Sequence, residues 1–259
     1  MSREERQTTV IDYFQDQAKK GAWGSLYDAT NPISYSFILR VETCLPLLTG
    51  IQNKKVLDLG CGTGVLLPHV VDNGSKYVGL DISDNMLEIL KDAYRSDIEE
   101  NNIDIILGDI KKIKLPSDID YAVGLGFIEY FSDPEKIVRK IYSSMNGNGS
   151  LILSFPNFHS LDFLFLTIFA PLRYFARKIT GKHTVQPPRN LWNKKSALEL
   201  FESCGFKNVE IIYYHINILP YPFTKLFPKF VGYIGKKIEH TALSNFSLFA
   251  TSFIVTGKK

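Results

Sequence analysis

The strongest constraint on the fold is an alternation of short strand-like segments and helical segments that starts at Lys55. Four segments rich in aliphatic residues come first: KVLDLG (55–60), KYVGLD (76–81), IDIILGD (103–109) and DYAVGLGF (120–127). Helical patterns separate them; after Ser83, which is suited to cap a helix, Met86, Leu87 and Leu90 fall on one face. This alternation indicates βαβ units, and therefore a parallel sheet with helices on both faces.

The second half of the chain continues this pattern and then changes it. A helix is predicted from Pro134 to about Met145, and the turn NGNG (146–149) leads into the strand SLILSFP. The segment KKSALELFESCGF (194–206) predicts a further helix, and the strands NVEIIYYHI (208–216) and SLFATSFIVTGKK follow it. Because little helix follows these last two strands, we expect them to form an antiparallel pair at one edge of the sheet.

Composition and charge limit the function classes. A hydrophobic fraction of 45% and a charged fraction of 22% are typical of a water-soluble globular protein. The net charge of +3, with scattered lysines, argues against a nucleic-acid partner. Cys44, Cys61 and Cys204 show no CxxC spacing, which argues against a zinc site or disulfides and fits a reducing, cytoplasmic compartment. The N-terminus lacks the apolar core of a signal peptide, and the longest apolar run, 161–172, is too short to span a bilayer.

The stretch VLDLGCGTG places Gly60, Gly62 and Gly64 directly after the first predicted strand. Ligands of open parallel sheets lie at the carboxyl ends of the strands, and glycines there allow the backbone to approach a ligand closely. The spacing is tighter than the GxGxxG fingerprint of dinucleotide sites, and no Lys-Ser/Thr pair follows. Asp81 and Asp109 end the next two strands, where they would accept hydrogen bonds from ribose hydroxyls and from an adenine amine. Two acids without a basic clamp favour an uncharged nucleoside over a pyrophosphate.

Several segments, taken in order, resemble the successive motifs of class I S-adenosylmethionine-dependent methyltransferases. They are VLDLGCGTG, YVGLDIS, ILGDI, DYAVGLGFIEYFSD and NGNGSLILSFPN. The resemblance implies an α/β fold with a Rossmann-like sheet of order 3-2-1-4-5-7-6, an antiparallel last strand, and S-adenosylmethionine as the cofactor. It also implies one methyltransferase domain (1–259) with an N-terminal helical cap (1–53), a cofactor-binding core (54–156) and two aromatic-rich lid insertions beside the acceptor (157–190 and 217–245).

The same resemblance assigns roles to individual residues. Asp58 and the glycines would lie around the methionine part of the cofactor, Asp81 at the ribose, Asp109 at the adenine, and residues 125–130 near the methyl donor. The full set of expected cofactor residues is Asp58, Gly60, Cys61, Gly62, Gly64, Asp81, Ile82, Met86, Asp109, Ile110, Leu125 and, from the helical cap, Tyr13.

Within this class the chain resembles the ubiquinone-biosynthesis O-methyltransferases and, more loosely, the magnesium-protoporphyrin methyltransferases. The former usually carry EVLEHVPD after the fourth strand; here GFIEYFSD keeps Glu129 but has Gly126 and Tyr130 in place of the other acid and the histidine. We therefore expect no metal. The candidate catalytic residues are Tyr130 and three histidines near the insertions, since a histidine is a natural general base: His159, His183 and His215.

The apolar character of the two insertions favours a small lipophilic acceptor, of quinone, polyketide, isoprenoid or lipid type, methylated at oxygen. Tetrapyrrole or other carboxylates, sugars and amines are alternatives, as is a non-catalytic cofactor-binding protein. The basic residues of the first insertion would meet a carboxylate, a phosphate or an anionic bilayer, so peripheral membrane contact is also expected: Arg173, Arg177, Lys178, Lys182 and Arg189. The sequence is compatible with a monomer or a homodimer.

Overall fold

The protein forms one seven-stranded sheet with the order β3-β2-β1-β4-β5-β7-β6. The computed structural model describes residues 3–19, 35–100, 103–180, 187–239, 241 and 247–259. The strands are β1 (Lys55–Leu59), β2 (Lys76–Asp81), β3 (Ile103–Leu107), β4 (Ile119–Gly124), β5 (Met145–Pro156), β6 (Lys207–Ile216) and β7 (Ala250–Lys258). The five strands from β3 to β5 pair in parallel, and β7 runs antiparallel to both β5 and β6. The predicted order and the antiparallel last strand are confirmed.

Helices cover both faces of the sheet. In the described residues they are α1 (Arg3–Lys19), α2 (Tyr35–Cys44), α3 (Leu67–Val71), α4 (Asp84–Ala93), α5 (Arg95–Glu100), α6 (Pro134–Ser144), α7 (Leu161–Ile168), α8 (Ala170–Thr180), α9 (Lys194–Ser203), α10 (Phe223–Leu226) and α11 (Pro228–Ile238). Two of them begin as the sequence predicts. The Ser83 side chain accepts a hydrogen bond from the Met86 N–H at the start of α4, and Asp133 caps α6 immediately before Pro134.

Two apolar layers hold the helices on the sheet. Adjacent side chains of a strand point to opposite faces, so Val56 and Leu57 enter different layers. The layer that contains Leu57 includes apolar side chains of α6 and α9, and the layer that contains Val56 includes those of α2, α3 and α4. Both faces of β1 are buried from Val56 onward, which explains its continuous apolar sequence apart from Asp58.

The two insertions leave the sheet at its carboxyl rim. In β7, Ser252 pairs with Pro156 and Ala250 pairs with Ile216, so β5 and β6 end on either side of the start of β7. The helices α7 and α8 follow β5, whereas α10 and α11 lie between β6 and β7. Both segments therefore start in the half of the sheet that is farthest from β3.

A half-buried carboxylate joins the two insertions. One oxygen of Asp162, in the first turn of α7, accepts hydrogen bonds from the Tyr221 N–H at 3.1 Å and from the Asn217 side chain at 3.2 Å. The ring of Phe169 lies 5.6 Å from the ring of Tyr221, and the Arg173 guanidinium lies over the same ring at 5.5 Å. The two segments thus pack against each other beyond β7 and β6.

Candidate active site

A cavity of about 710 Å³ lies at the carboxyl ends of β1, β2 and β4. This volume is in the range of roughly 300–1,000 Å³ that small-molecule sites occupy. The turns after the strands form one wall, and residues 10–17 of α1 form a second. Side chains of α2 and the pair Pro187 and Arg189 contribute a third. The site therefore combines the strand order reversal at β1 and β4 with elements from outside the sheet.

The glycine turn after β1 approaches the cavity with its backbone. Gly60, Gly62 and Gly64 have φ angles of +68°, +53° and +80°, which L side chains rarely adopt. The N–H groups of Gly60 and Cys61 donate to the Leu80 carbonyl at 2.7 and 3.1 Å, so the turn is fixed to β2. Gly60, Cys61 and Gly62 line the cavity, whereas Gly64 faces Leu90 and does not. Gly64 thus packs against the core beside Leu90, and its predicted contact with the cofactor stays a prediction.

Asp81 connects the turn to the end of β2. Its Oδ2 accepts a hydrogen bond from the Gly62 N–H at 2.8 Å, and its Oδ1 accepts one from the Ser83 N–H at 2.8 Å. Burial raises the pKa of the Asp81 carboxyl, and these backbone hydrogen bonds oppose the rise. Each carboxylate oxygen has a second lone pair that is able to accept from a ribose hydroxyl. Asp81 therefore holds the shape of the glycine turn in addition to facing the cavity.

Asp58 is a carboxyl buried inside β1, with 3% of its surface exposed. The Tyr77 hydroxyl donates to its Oδ2 at 2.8 Å. Burial raises the pKa of Asp58 to about 7, the Tyr77 hydrogen bond opposes this, and the nearby Asp81 charge adds to it. A buried carboxyl at the cavity wall suits a cationic group, because a positive charge would stabilise its ionised form.

The turn after β3 forms the part of the cavity wall where the adenine is expected. Gly108, Asp109, Ile110 and Lys111 line it, and the Lys111 N–H donates to Asp109 Oδ1 at 3.0 Å. Eleven of the twelve expected cofactor residues line the cavity, all except Gly64. They are Tyr13, Asp58, Gly60, Cys61, Gly62, Asp81, Ile82, Met86, Asp109, Ile110 and Leu125. Their contact with a bound cofactor stays a prediction.

The other end of the cavity is lined by aromatic and charged side chains. Phe14 of α1 meets Tyr130 edge to face, with ring centroids 5.4 Å apart. Glu129 and Tyr130 come from a short 3-10 turn after β4, Ile128–Tyr130. The backbone N–H of Asn190 donates to the Glu129 carbonyl at 2.7 Å, which places the neighbouring Arg189 beside this turn.

The Arg40 side chain of α2 lies directly beside Gly126. Gly126 has a φ angle of +71°, and the Arg40 guanidinium occupies the space where a β carbon would lie. Arg40 also stacks over the Phe37 ring at 4.8 Å. A basic side chain from α2 thus reaches the cavity where the motif has lost an acid. Sequence reasoning missed Arg40 because the link between α2 and the β4 turn appears only in the fold.

Glu129 and Tyr130 differ in their ability to accept a proton. Burial raises the pKa of the Glu129 carboxyl, and the Arg40 and Arg189 charges oppose the rise. Burial and the Glu129 charge raise the pKa of the Tyr130 phenol. Tyr130 is therefore a neutral hydrogen-bond donor at ordinary pH, and Glu129 is the better base of the two.

The histidine predictions need correction. His215 lies in the interior, where its Nδ1 is 2.5 Å from Thr251 Oγ1 and its ring packs against Tyr35. Burial lowers the pKa of His215 to about 4. His159 packs its ring against Phe158 at 4.2 Å, and its N–H donates to Asn157 Oδ1. Neither residue lines the cavity, and His183 lies outside the described residues.

The predicted lid is also different in the structure. Among the described residues of 157–190 and 217–245, only Pro187 and Arg189 line the cavity. The helical cap takes that place, since α1 supplies Val10, Ile11 and Phe14 together with Tyr13. The insertions follow β5 and β6, and the described residues of their helices do not line the cavity.

A sheet of this order, with a glycine turn after β1 and acids at the ends of the next strands, defines a nucleoside-binding methyltransferase fold. A family model described as a methyltransferase domain matches residues 35–211, more than half of the chain. The chain therefore belongs to this methyltransferase domain family and is an S-adenosylmethionine-dependent methyltransferase.

Comparisons with individual proteins agree with this family. The chain is 34% identical over 128 residues to an uncharacterized protein of Haemophilus influenzae, and the match covers 48% of the chain and 50% of that protein. It is 25% identical over 193 residues to a ubiquinone biosynthesis O-methyltransferase of Hydrogenovibrio crunogenus, covering 72% of the chain and 76% of that protein. The solved magnesium protoporphyrin IX methyltransferase of Synechocystis PCC 6803 with bound SAH has a TM-score of 0.64 at 16% identity, covering 98% and 99%. This last likeness supports the fold.

The cavity residues fit the cofactor chemically. The buried Asp58 provides an acid for the ammonium of the methionine part, and Asp81 keeps free lone pairs for the ribose. A β carbon on Gly60 would lie only 3.0 Å from Phe127 Cδ2, so a larger side chain at this position would require Phe127 to move. Across the described ranges, no helix has the length and apolar composition that crossing a bilayer requires.

Proposed function

We propose that this methyltransferase transfers the methyl group to an oxygen of a small, largely apolar acceptor. The observation that carries the proposal is the composition of the cavity beyond the cofactor residues. Phe14, Phe37 and Phe131 line it together with Glu129 and Tyr130. Aromatic walls favour a flat, largely apolar molecule, and the charged side chains at this end of the cavity, among them Arg40 and Glu129, would orient it.

The bound cofactor supplies an activated methyl group, so the protein's own contribution is alignment, exclusion of water and removal of one proton. Tyr130, with its raised phenol pKa, would donate a hydrogen bond that orients the acceptor. Glu129 would take the hydroxyl proton on its carboxylate, since its raised pKa makes it a stronger base than an exposed glutamate. Arg40 and Arg189 would keep that carboxylate ionised before it accepts the proton.

The relatives support oxygen as the methylated atom only in part. The relatives that are ubiquinone biosynthesis O-methyltransferases match this chain at 25–27% identity. A carboxylate acceptor is the second candidate, because the two arginines at this end of the cavity would pair with it. The two candidates differ in one chemical requirement: a phenol or alcohol must lose a proton, and a carboxylate has already lost it.

The test compares the methylation of different acceptors by the wild-type protein and by the Glu129→Gln variant. A panel of catechols, hydroxyquinones, aromatic carboxylates and aromatic amines is incubated with the cofactor, and the methylated products are measured by mass spectrometry. For a phenol, Glu129→Gln should lower kcat about 100-fold or more, which is the usual contribution of a general base. SAH affinity should stay within about 3-fold, because Glu129 lies away from the adenosine end.

Glu135→Gln is the matched control, since this exposed glutamate lies in the first turn of α6 and outside the cavity. It should retain the wild-type kcat. If only aromatic carboxylates are methylated, and Glu129→Gln leaves kcat unchanged, the proposal of a hydroxyl acceptor is refuted. This result would favour the carboxylate acceptor. Absence of any methylated product, with intact SAH binding, would favour a non-catalytic cofactor-binding protein.

A further inference from the structure

The exposed apolar side chains of this protein are concentrated on the two insertions. Among the described residues, fourteen large hydrophobic side chains are exposed, five of them within residues 164–175 and five within residues 223–233. The most exposed include Leu172, Phe175 and Leu226, each with more than 60% of its surface accessible. We call the outer surface of α7, α8, α10 and α11 the docking face. Monomeric proteins rarely leave a contiguous apolar surface of this kind without a use for it.

The docking face is continuous because the two helix pairs are joined. Asp162 of α7 accepts hydrogen bonds from Tyr221 and Asn217 just before α10, and Phe169 packs on the Tyr221 ring. The apolar side chains of both insertions can therefore contact one partner at the same time.

The charges around the docking face have one sign. Residues 161–180 contain one acid, Asp162, and residues 219–239 contain one acid, Glu239. Both acids point inward: Asp162 joins the insertions, and Glu239 is buried and accepts hydrogen bonds from the backbone N–H groups of His215 and Ile216. The exposed charged side chains of the described part of the face are lysines, at positions 178, 229, 236 and 237.

This combination of apolar and basic side chains determines the partner. We propose that the docking face lies on a bilayer that contains anionic lipids, with its apolar side chains in the headgroup region and its lysines against the lipid phosphates. The helices of the face have 8, 11, 4 and 11 residues, so they suit a position in the plane of the interface rather than across it. Tyr174 and Tyr233 are exposed on this face, and tyrosine is enriched at membrane interfaces.

A second copy of the chain is a poorer occupant of the same surface. A two-fold contact through this face would bring the lysines of both copies together without an acid between them, which opposes association. An anionic bilayer offers the opposite charge and an apolar layer directly beneath it. The proposal concerns the surface alone and does not depend on the identity of the methyl acceptor.

The experiment is co-sedimentation of the full chain with vesicles of phosphatidylcholine alone or with 30% phosphatidylglycerol. We expect wild-type protein to bind the anionic vesicles at least ~10-fold more tightly, and 0.5 M salt to weaken that binding. Phe230→Asp should lower the partition coefficient at least ~10-fold, since an aspartate at a 57% exposed site leaves the fold intact but opposes insertion. Lys236→Glu combined with Lys237→Glu should lower it to a similar extent.

Ile89→Asp is the matched control, because Ile89 is 37% exposed on α4, at the opposite side of the sheet. It should bind vesicles within about 2-fold of wild type. Circular dichroism melting verifies that each variant is folded. Equal binding to both vesicle types, or unchanged binding of Phe230→Asp, would overturn the proposal. A concentration-dependent dimer in analytical ultracentrifugation that Phe230→Asp abolishes would also overturn it, in favour of self-association.

Discussion

Cofactor affinity should rise with pH because of the buried carboxyl of Asp58. Burial raises the pKa of Asp58 to about 7, so at pH 7 half of the free protein carries a neutral acid at this position. The methionine part of the cofactor carries an ammonium, which pairs with the ionised carboxylate and not with the neutral acid. Binding therefore requires the release of a proton from Asp58, and affinity must fall as the pH drops below 7.

The magnitude follows from the fraction of ionised Asp58. With a pKa of about 7, about 50% is ionised at pH 7 and about 3% at pH 5.5, so the Kd for SAH should increase about 16-fold between these values. This factor corresponds to about 1.6 kcal/mol. The ammonium of the ligand stays protonated throughout this interval, because α-amino groups titrate near ~7.7–8.0.

Isothermal titration calorimetry with SAH at pH 5.5, 6, 6.5 and 7 measures this dependence. In buffers of different ionisation enthalpy, binding at pH 6 should release about 0.9 protons, the fraction of Asp58 that is protonated. Asp58→Asn is the decisive control, since the amide keeps an acceptor for the Tyr77 hydroxyl but cannot titrate. The variant should bind more weakly and show a flat profile. If the Kd of Asp58→Asn for SAH still changes about 16-fold between pH 5.5 and pH 7, the pH dependence does not arise from Asp58.

Four further outcomes are expected. Asp58→Asn should raise the melting temperature of the free protein at pH 8 but not at pH 4. The pKa of the Asp58 carboxyl is higher in the folded protein than in the unfolded chain, so the neutral acid stabilises the fold at low pH. This stabilisation is lost as the pH rises through about 7. Gly60→Ala should lower both the SAH affinity measured by calorimetry and the melting temperature. Gly74 has the same φ angle of +68°, but no atom lies within 4 Å of an added β carbon. Gly74→Ala should therefore lose only about 1 kcal/mol of stability. Asp81→Ala should weaken SAH binding at least ~10-fold, and wild-type affinity would contradict the ribose assignment. EDTA should leave turnover unchanged, and restoration of lost activity by magnesium would contradict the metal-free prediction.

The sequence predicts the sheet and the positions of the acids because both depend on local pattern. Each strand is marked by its aliphatic run, and an acid that ends a parallel strand must lie at the carboxyl rim. The sequence therefore places Asp81 and Asp109 on the same cavity without any knowledge of packing. It does not predict that Tyr77 supports Asp58, because that contact depends on strand register: Gly79 lies opposite Asp58, and its missing side chain makes room for the Tyr77 ring.

The elements that cover the cavity are not predictable in the same way. His159 follows β5 and His215 lies near the end of β6, both at the correct rim, but the direction of each side chain depends on the local backbone. His215 has a φ angle of +58°, and Glu239 holds its N–H, so the ring turns into the interior. The aromatic insertions look like a lid in composition, yet α1 takes that position by packing on α4. These contacts join residues that are far apart in the chain, so no periodic pattern in the sequence predicts them.

The position of β7 has a consequence for synthesis on the ribosome. β7 lies between β5 and β6 in the sheet, but it follows both of them along the chain. Until residues 250–258 leave the exit tunnel, β5 presents an unpaired edge and β6 has no neighbouring strand, while the apolar helices between them are already translated. This half of the sheet must therefore close after translation of the rest, and the nascent chain exposes the kind of surface that chaperones bind.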